Sequence, residues 1–165
     1  MKLPIVLIGP MGVGKTTIGK KLSKTLELPF IDTDAVITTR YGSPSEIFQS
    51  QGEKAFRVIE EQIVAEAVTT ESVIATGGGA VLSGNIQRKL KQCTVIYLST
   101  DGKRIKSRLI GGNRPLLKKG FEDWKRIYEE RKPLYEALSN IEIDVSRSSL
   151  KETIAEIVDR LHTNE

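Results

Sequence analysis

Eight residues near the N-terminus, Gly9-Pro10-Met11-Gly12-Val13-Gly14-Lys15-Thr16, match the pattern G-x-x-x-x-G-K-[ST] and narrow the possible folds more than any other stretch. The match follows the apolar run Ile5-Val6-Leu7-Ile8 and precedes a helical pattern, which is the strand–loop–helix setting the pattern requires. Glycines let the backbone wrap closely around a phosphate with amide N–H groups turned inward. A helix opening near Lys15 adds the positive end of its dipole. Lys15 then reaches the β and γ phosphates, and the Thr16 hydroxyl is placed to ligate Mg²⁺. The alternative, an ordinary Gly-rich turn before a helix, explains neither the lysine nor the threonine.

Other apolar runs follow at Phe30-Ile31, Val73-Ile74-Ala75, Val95-Ile96-Tyr97-Leu98 and Ile141 to Val145. Most are short and do not alternate, as expected of strands buried on both faces of a parallel sheet. Between them lie helical periodicities: Ile18, Leu22 and Leu26; Phe56, Ile59, Ile63 and Ala67; and Leu150, Ile154, Ile157, Val158 and Leu161. The last opens on Ser149-Leu150-Lys151-Glu152, a capping-box pattern. Strands alternating with helices predict a three-layer α/β domain with right-handed crossovers. At 165 residues, with no linker or repeat, the chain reads as one domain, 1–165.

Composition excludes several classes. No apolar run reaches the length of a membrane span. Met1 to Ile8 is short and no small-residue cleavage site follows, which argues against a secretory signal. Cys93 is the single cysteine, so an internal disulfide or a cysteine-based zinc site is excluded, and a reducing, cytoplasmic setting fits. His162, the one histidine, reads as part of a frayed end. The net charge of +4 suits nucleic acid or small anions. The basic residues are spread along the chain without interleaved aromatics, so no nucleic-acid role is expected.

The phosphate loop does not specify the reaction. No second apolar strand ends in Asp-Glu, as an ATPase would have, and no Asn-Lys-x-Asp motif for GTP is present. A small chain opening on a phosphate loop suggests a small-molecule kinase. Asp32-Thr33-Asp34 ends the second strand run, and residues two apart on a strand share a side, so the acidic pair is expected to face the loop. The other reading of this triplet is an Asx turn or helix cap. Arg57 and Glu60 are neighbours on a helix, so the carboxylate can aim the guanidinium at a substrate carboxylate; alone, the pair also fits a surface ion pair. Gly77-Gly78-Gly79 permits close backbone approach to a ligand, or forms a tight turn. Lys103 to Ile110 reads as helix, broken by Gly111-Gly112-Asn113 before Arg114 and Lys118-Lys119. That pattern suits a lid at about 108–120 closing over phosphates, or an exposed basic loop. Phe121, Trp124 and Tyr128 are expected to pack a helix onto the core.

In order and spacing, these residues resemble the shikimate kinase family. The resemblance rests on the Gly9 to Lys15 loop, Asp32-Thr33-Asp34, Ile47-Phe48 with Gly52-Glu53 and Phe56-Arg57, Gly77-Gly78-Gly79, Arg114-Pro115-Leu116-Leu117, and Glu130-Arg131 before Pro133-Leu134-Tyr135. It implies a nucleoside-monophosphate-kinase-like P-loop fold, with a five-stranded parallel sheet in order 2-3-1-4-5. It implies transfer of the ATP γ-phosphoryl to the 3-hydroxyl of shikimate, in the chorismate pathway; a monomer is expected, although sequence does not fix oligomeric state. It assigns shikimate contacts to Asp34, Arg57, Gly78 and Arg131, and nucleotide contacts to Gly12, Val13, Gly14, Lys15, Thr16 and Thr17. Asp34, Lys15 and Arg114 become the catalytic groups, with Arg114 reaching over the phosphates from the lid. The resemblance also implies one Mg²⁺, held directly by Thr16 and through water by Asp32. A helical region at about 33–61 carries substrate contacts. The adenine contact stays open between Arg147 and Ser148. The rival readings are a gluconate-kinase-type sugar-acid kinase, a nucleoside monophosphate kinase, and a kinase-like binding domain without catalysis. The set Arg57, triple glycine and Arg131 disfavours the first. The second lacks a motif for a base pocket. Lys15, Thr16, Asp34 and Arg131, all present, disfavour the third.

Overall fold

A computed structural model of the chain describes residues 1–109 and 116–164. Five strands, β1 (Ile5–Ile8), β2 (Phe30–Asp32), β3 (Val73–Ala75), β4 (Thr94–Ser99) and β5 (Ile141–Asp144), form one sheet in the order β2-β3-β1-β4-β5. Each neighbouring pair is parallel, with Ile5 opposite both Val73 and Thr94, and Ile96 opposite Ile141. The helices are α1 (Lys15–Thr25), α2 (Thr33–Tyr41), α3 (Pro44–Gln51), α4 (Glu53–Ala67), α5 (Gly84–Leu90), α6 (Ile105–Leu109), α7 (Phe121–Leu138) and α8 (Leu150–Thr163), with a 3-10 turn at Ala80–Leu82. The expected order 2-3-1-4-5 and the three layers are both present.

The central strand explains the layering. All four residues of β1 are buried. Val6 and Ile8 pack with Val64 and Ala67 of α4, Ile86 of α5, and Trp124 and Tyr128 of α7. Ile5 and Leu7 pack on the other face with Ile18 and Leu22 of α1 and with Ile154, Ile157 and Leu161 of α8. Successive residues point to opposite faces, so a strand covered on both sides must be apolar throughout. The edge strand β5 alternates instead: Ile141 and Ile143 are buried, while Glu142 and Asp144 are exposed. A third, smaller core of Ile37, Ile47, Phe56 and Ile63 ties α2, α3 and α4 together.

Local chemistry sets the element ends. The Ser149–Glu152 capping box is formed at α8, and an equivalent box, Ser43–Glu46, opens α3 with Pro44 in the first turn. The acidic triplet departs from its expected strand placement. β2 stops at Asp32, whose Oδ1 accepts hydrogen bonds from the Asp34 and Ala35 amides, so Asp32 caps α2 and Asp34 lies in its first turn. The helix expected from Lys103 begins only at Ile105. Before it, the Thr100 and Asp101 side chains accept from the Gly102 and Lys103 amides, and Gly102 is left-handed at φ 82°. That turn delays the helix. Ile110 to Pro115, including Arg114 and much of the expected lid, lie outside the described residues.

Candidate active site

Because all five strands are parallel, their C-terminal ends meet at one edge of the sheet, and the site forms there. A cavity of about 700 Å³ opens between the loop after β1, the start of α2, α4, the glycine turn after β3, and α7. It is lined by Gly12, Val13, Gly14, Lys15, Thr16 and Thr17 on one side and by Asp34, Arg57, Gly78 and Arg131 on the other. Asp32 lines it as well. Of the predicted site residues, only Arg114 is beyond the described part of the chain.

The loop carries its own bracing. Gly14, at φ 110°, caps α1 without a side-chain acceptor, so no side chain occupies the amides of the helix's first turn. Lys15 is buried and its Nζ donates to the carbonyls of Gly9 and Pro10, at 2.7 and 2.8 Å, folding the lysine back over the loop. Gly9 adopts φ 148°, and a Cβ there would fall 2.6 Å from the Leu98 carbonyl oxygen. Only glycine fits that close passage between β1 and β4. Arg108, on α6, donates through Nη1 to the carbonyls of Gly12 and Val13 at 2.9 and 3.2 Å.

Thr16 Oγ1 donates to Asp32 Oδ2 at 2.6 Å. Two hard oxygen donors side by side at the mouth of a phosphate cradle suit a divalent cation such as Mg²⁺. Among the described residues no cluster of three or more His, Cys, Asp or Glu could hold a metal. An ion here would therefore draw its remaining ligands from phosphate and water.

Across the cavity stands a second, buried polar cluster. Arg57 Nη1 donates to Glu60 Oε1 at 2.8 Å, one helical turn along α4, and Arg57 Nη2 reaches Glu53 at 3.4 Å. Glu60 is almost wholly buried, at 1% exposure. Burial holds its carboxyl above the usual glutamate range, offset in part by Arg57. Asp34 is also pushed up from the ordinary carboxylate value, first by burial and then by the charge of Asp32. Asp34 Oδ1, Glu60 Oε2 and Arg57 Nε are buried with no hydrogen-bond partner among the described residues. Buried polar atoms are normally satisfied, so three orphans lining one cavity point to a polar ligand there.

The glycine turn is required by space rather than by backbone angle. A Cβ on Gly77 would meet Glu60 Oε2 at 2.8 Å and Asp34 Oδ1 at 3.0 Å. One on Gly79 would fall 2.6 Å from Cζ of Arg57. One on Gly78 would meet Met11 at 3.3 Å and Arg131 Nη1 at 3.6 Å. The triple glycine thus lets two carboxylates and two guanidiniums close around a single stretch of backbone. Arg131 is buried on α7, and Tyr135 on the same helix donates its hydroxyl to the Gly78 carbonyl at 2.5 Å.

Sequence reasoning missed several of the lining groups. Met11, Phe48, Arg104, Arg108 and Thr153 also line the cavity, with Met11 beside Gly78 and Arg108 on the carbonyls of Gly12 and Val13. Arg108 lies on α6, whereas Arg104 belongs to the turn just before it, so helical spacing does not relate the two. Of the two residues left open for adenine, Ser148 lines the cavity, with its carbonyl accepting from Arg104 at 3.3 Å. Trp124 and Tyr128 are core residues as expected, Cys93 is buried, and His162 is exposed near the end of α8. No described helix is long and apolar enough to cross a membrane.

Comparison with known proteins agrees with this geometry. The family model described as shikimate kinase matches residues 11–162. The shikimate kinase of Mycobacterium avium is 42% identical, over 94% of this chain and 92% of its own. Among solved structures, shikimate kinase from Acinetobacter baumannii in complex with shikimate superposes with a TM-score of 0.93 at 31% identity, covering 98% of this chain and 93% of that one. Shikimate kinase from Aquifex aeolicus gives a TM-score of 0.83 at 31% identity, covering 97% and 96%. With this similarity along nearly its whole length, and with the phosphate loop and acidic–basic acceptor pocket facing each other across one cavity, the chain belongs to the shikimate kinase family.

Proposed function

We propose that this family member, an ATP:shikimate 3-phosphotransferase, runs its reaction across the cavity, with ATP on the Gly12–Thr17 side and shikimate among Asp34, Arg57, Gly78 and Arg131. The observation that carries this reading is the set of orphaned buried atoms on Asp34, Arg57 and Glu60, directly opposite the phosphate loop. A carboxylate-bearing polyol supplies what they lack: an anion for guanidinium donors and a hydroxyl for a carboxylate acceptor.

Phosphoryl transfer demands little covalent work from a protein. It demands positioning and charge stabilisation. Arg57, aimed by Glu60, and Arg131 grip the shikimate carboxylate, which turns the 3-hydroxyl toward the loop. Asp34 accepts the hydroxyl hydrogen bond and then the proton. Its burial makes it a stronger proton acceptor than a solvated carboxylate. Lys15 and the loop amides take up the charge that develops on the transferring phosphoryl group. Thr16, with Asp32 acting through water, would hold the Mg²⁺ that accompanies ATP and neutralises phosphate charge. Arg114 closes over the phosphates from a lid at about 108–120, and residues 33–61 form the acceptor-side region. We further propose that the protein acts as a cytoplasmic monomer, with no nucleic-acid or membrane partner.

The test is direct. The protein is incubated with MgATP and, separately, shikimate, gluconate, AMP or no acceptor, and ADP is followed. Shikimate-dependent ADP together with shikimate 3-phosphate is the expected result. ADP release that is indifferent to shikimate, or that follows gluconate, overturns the reading.

A further inference from the structure

Trp124 is the only tryptophan in the chain, and it sits in the first turn of α7 with 3% of its surface exposed. A buried indole usually uses its N–H. This one donates from Nε1 to the carbonyl of Met11 at 2.7 Å, joining residues 113 positions apart. Met11 belongs to the phosphate loop. Its backbone nitrogen and Cγ also lie 3.3 Å from where a Cβ would stand on Gly78, so Met11 is the point where the loop touches the glycine turn. Two further residues of α7 meet that turn. Arg131 brings Nη1 to 3.6 Å of the same Cβ position, and Tyr135 holds the Gly78 carbonyl. Trp124, Arg131 and Tyr135 are spaced by seven and four residues, which places them on one face of the helix.

The seat of the indole is rigid. Phe121 stacks on it at 5.5 Å with 13° between the planes, and Tyr128 tilts against it at 5.2 Å. Gly102 is left-handed at φ 82°, and a Cβ there would be 2.9 Å from the ring. The ring is thus fixed on several sides before its N–H reaches the loop. A trans peptide points its C=O and the following N–H to opposite sides. Anchoring the Met11 carbonyl on Trp124 therefore fixes the direction of the Gly12 N–H.

We propose that Trp124 is a positioning residue for the reaction: it sets the phosphate loop in register with the acceptor turn, using α7 as the common frame. The inference rests on the reading of residues 9–17 as the nucleotide site. It goes beyond that reading by assigning the loop's orientation to a side chain from the far end of the chain. Arg131 is assigned a ligand contact by that reading; Trp124 would act only through Met11.

The experiment compares the wild type with two replacements at this one site. Trp124→Phe removes the N–H and keeps a stacked ring. Substituting the sole tryptophan by 3-benzothienylalanine removes the N–H with almost no change of shape, so a folded protein is available even if the phenylalanine variant is unstable. KM for ATP and KM for shikimate are measured separately, with thermal stability alongside. Loss of one hydrogen bond to the loop should raise the ATP KM about five- to tenfold. The shikimate KM should stay within about twofold, because no acceptor contact is removed. An unchanged ATP KM in the benzothienyl protein overturns the proposal. So does a parallel rise in both KM values, which would mark a purely structural role. Absence of shikimate-dependent turnover in the wild type would instead sink the activity itself, so the two failures are distinguishable.

Discussion

Glu60 gives one carboxylate oxygen to Arg57 at 2.8 Å and keeps the other buried without a hydrogen-bond partner among the described residues, 2.8 Å from where a Cβ would sit on Gly77. A buried acid held this way serves the guanidinium at a cost to the fold. Its pKa is raised above the ordinary 4.5, chiefly by burial. The folded state then binds the proton more tightly than the unfolded state. The stabilising contribution is complete below the unfolded value and is lost as pH rises through the folded one.

Glu60→Gln should therefore equal or exceed the wild type in Tm at pH 7.5. The difference should shrink as pH falls toward 4.5, the ordinary glutamate value. The neutral amide aims Arg57 less firmly, so the shikimate KM should rise about tenfold or more while the ATP KM holds. Thermal melts across pH and steady-state kinetics check both halves. A Tm difference independent of pH would show that Glu60 carries no linked proton.

Thr16 and Asp32 share a 2.6 Å hydrogen bond, while the other Asp32 oxygen caps α2. Two substitutions separate these roles. Asp32→Asn keeps a capping oxygen, so its Tm should change little. Asp32→Ala loses the cap and should cost about 1 kcal/mol of stability. Both should raise the Mg²⁺ concentration needed for half-maximal turnover, and Thr16→Val should raise it further, since it removes the direct ligand. A Mg²⁺ titration that is identical for all three variants and the wild type would exclude this pair from the metal site.

Lys15 is tied to Gly9 and Pro10 of its own loop. Lys15→Ala removes both a brace and a preorganised positive charge. Turnover should fall by two to three orders of magnitude, about 3–4 kcal/mol, with the far-UV circular dichroism of the fold retained. Near-normal turnover by a folded variant would refute the phosphate-loop assignment.

How far the sequence reveals the site depends on how local each interaction is. β1 was legible because a strand covered on both faces has no room for polar residues. Arg57 and Glu60 were legible because helical spacing alone brings them together. Asp32 and Asp34 line the cavity, but through the helix cap that the sequence also allowed rather than as two residues of a strand. A two-residue period describes a strand, but the Asp32 side chain captures two amides and ends the strand at once, so Asp34 faces the cavity from a helix. Arg108 on Gly12 and Trp124 on Met11 span 96 and 113 residues. Nothing periodic in the chain announces such contacts. They follow only once the sheet order has brought α6 and α7 against the loop.

Arg57 and Arg131 come from separate helices, α4 and α7, yet both line the acceptor side, each beside one of the three glycines. If both hold the shikimate carboxylate, the shape of Arg131 matters as well as its charge. A planar guanidinium makes two parallel hydrogen bonds to a carboxylate, which an ammonium cannot match. Arg131→Lys should weaken shikimate binding and turnover by about ten- to a hundredfold, or roughly 1.5–3 kcal/mol, with ATP binding little altered. The control is a shikimate analogue whose carboxylate is replaced by a neutral group. The analogue should be poor with the wild type, and Arg131→Lys should weaken it little further, because the contact is already missing. A full additional penalty with the analogue would move Arg131 from the carboxylate to the phosphates. That result would leave Arg57 alone as the anchor that turns the 3-hydroxyl toward Asp34.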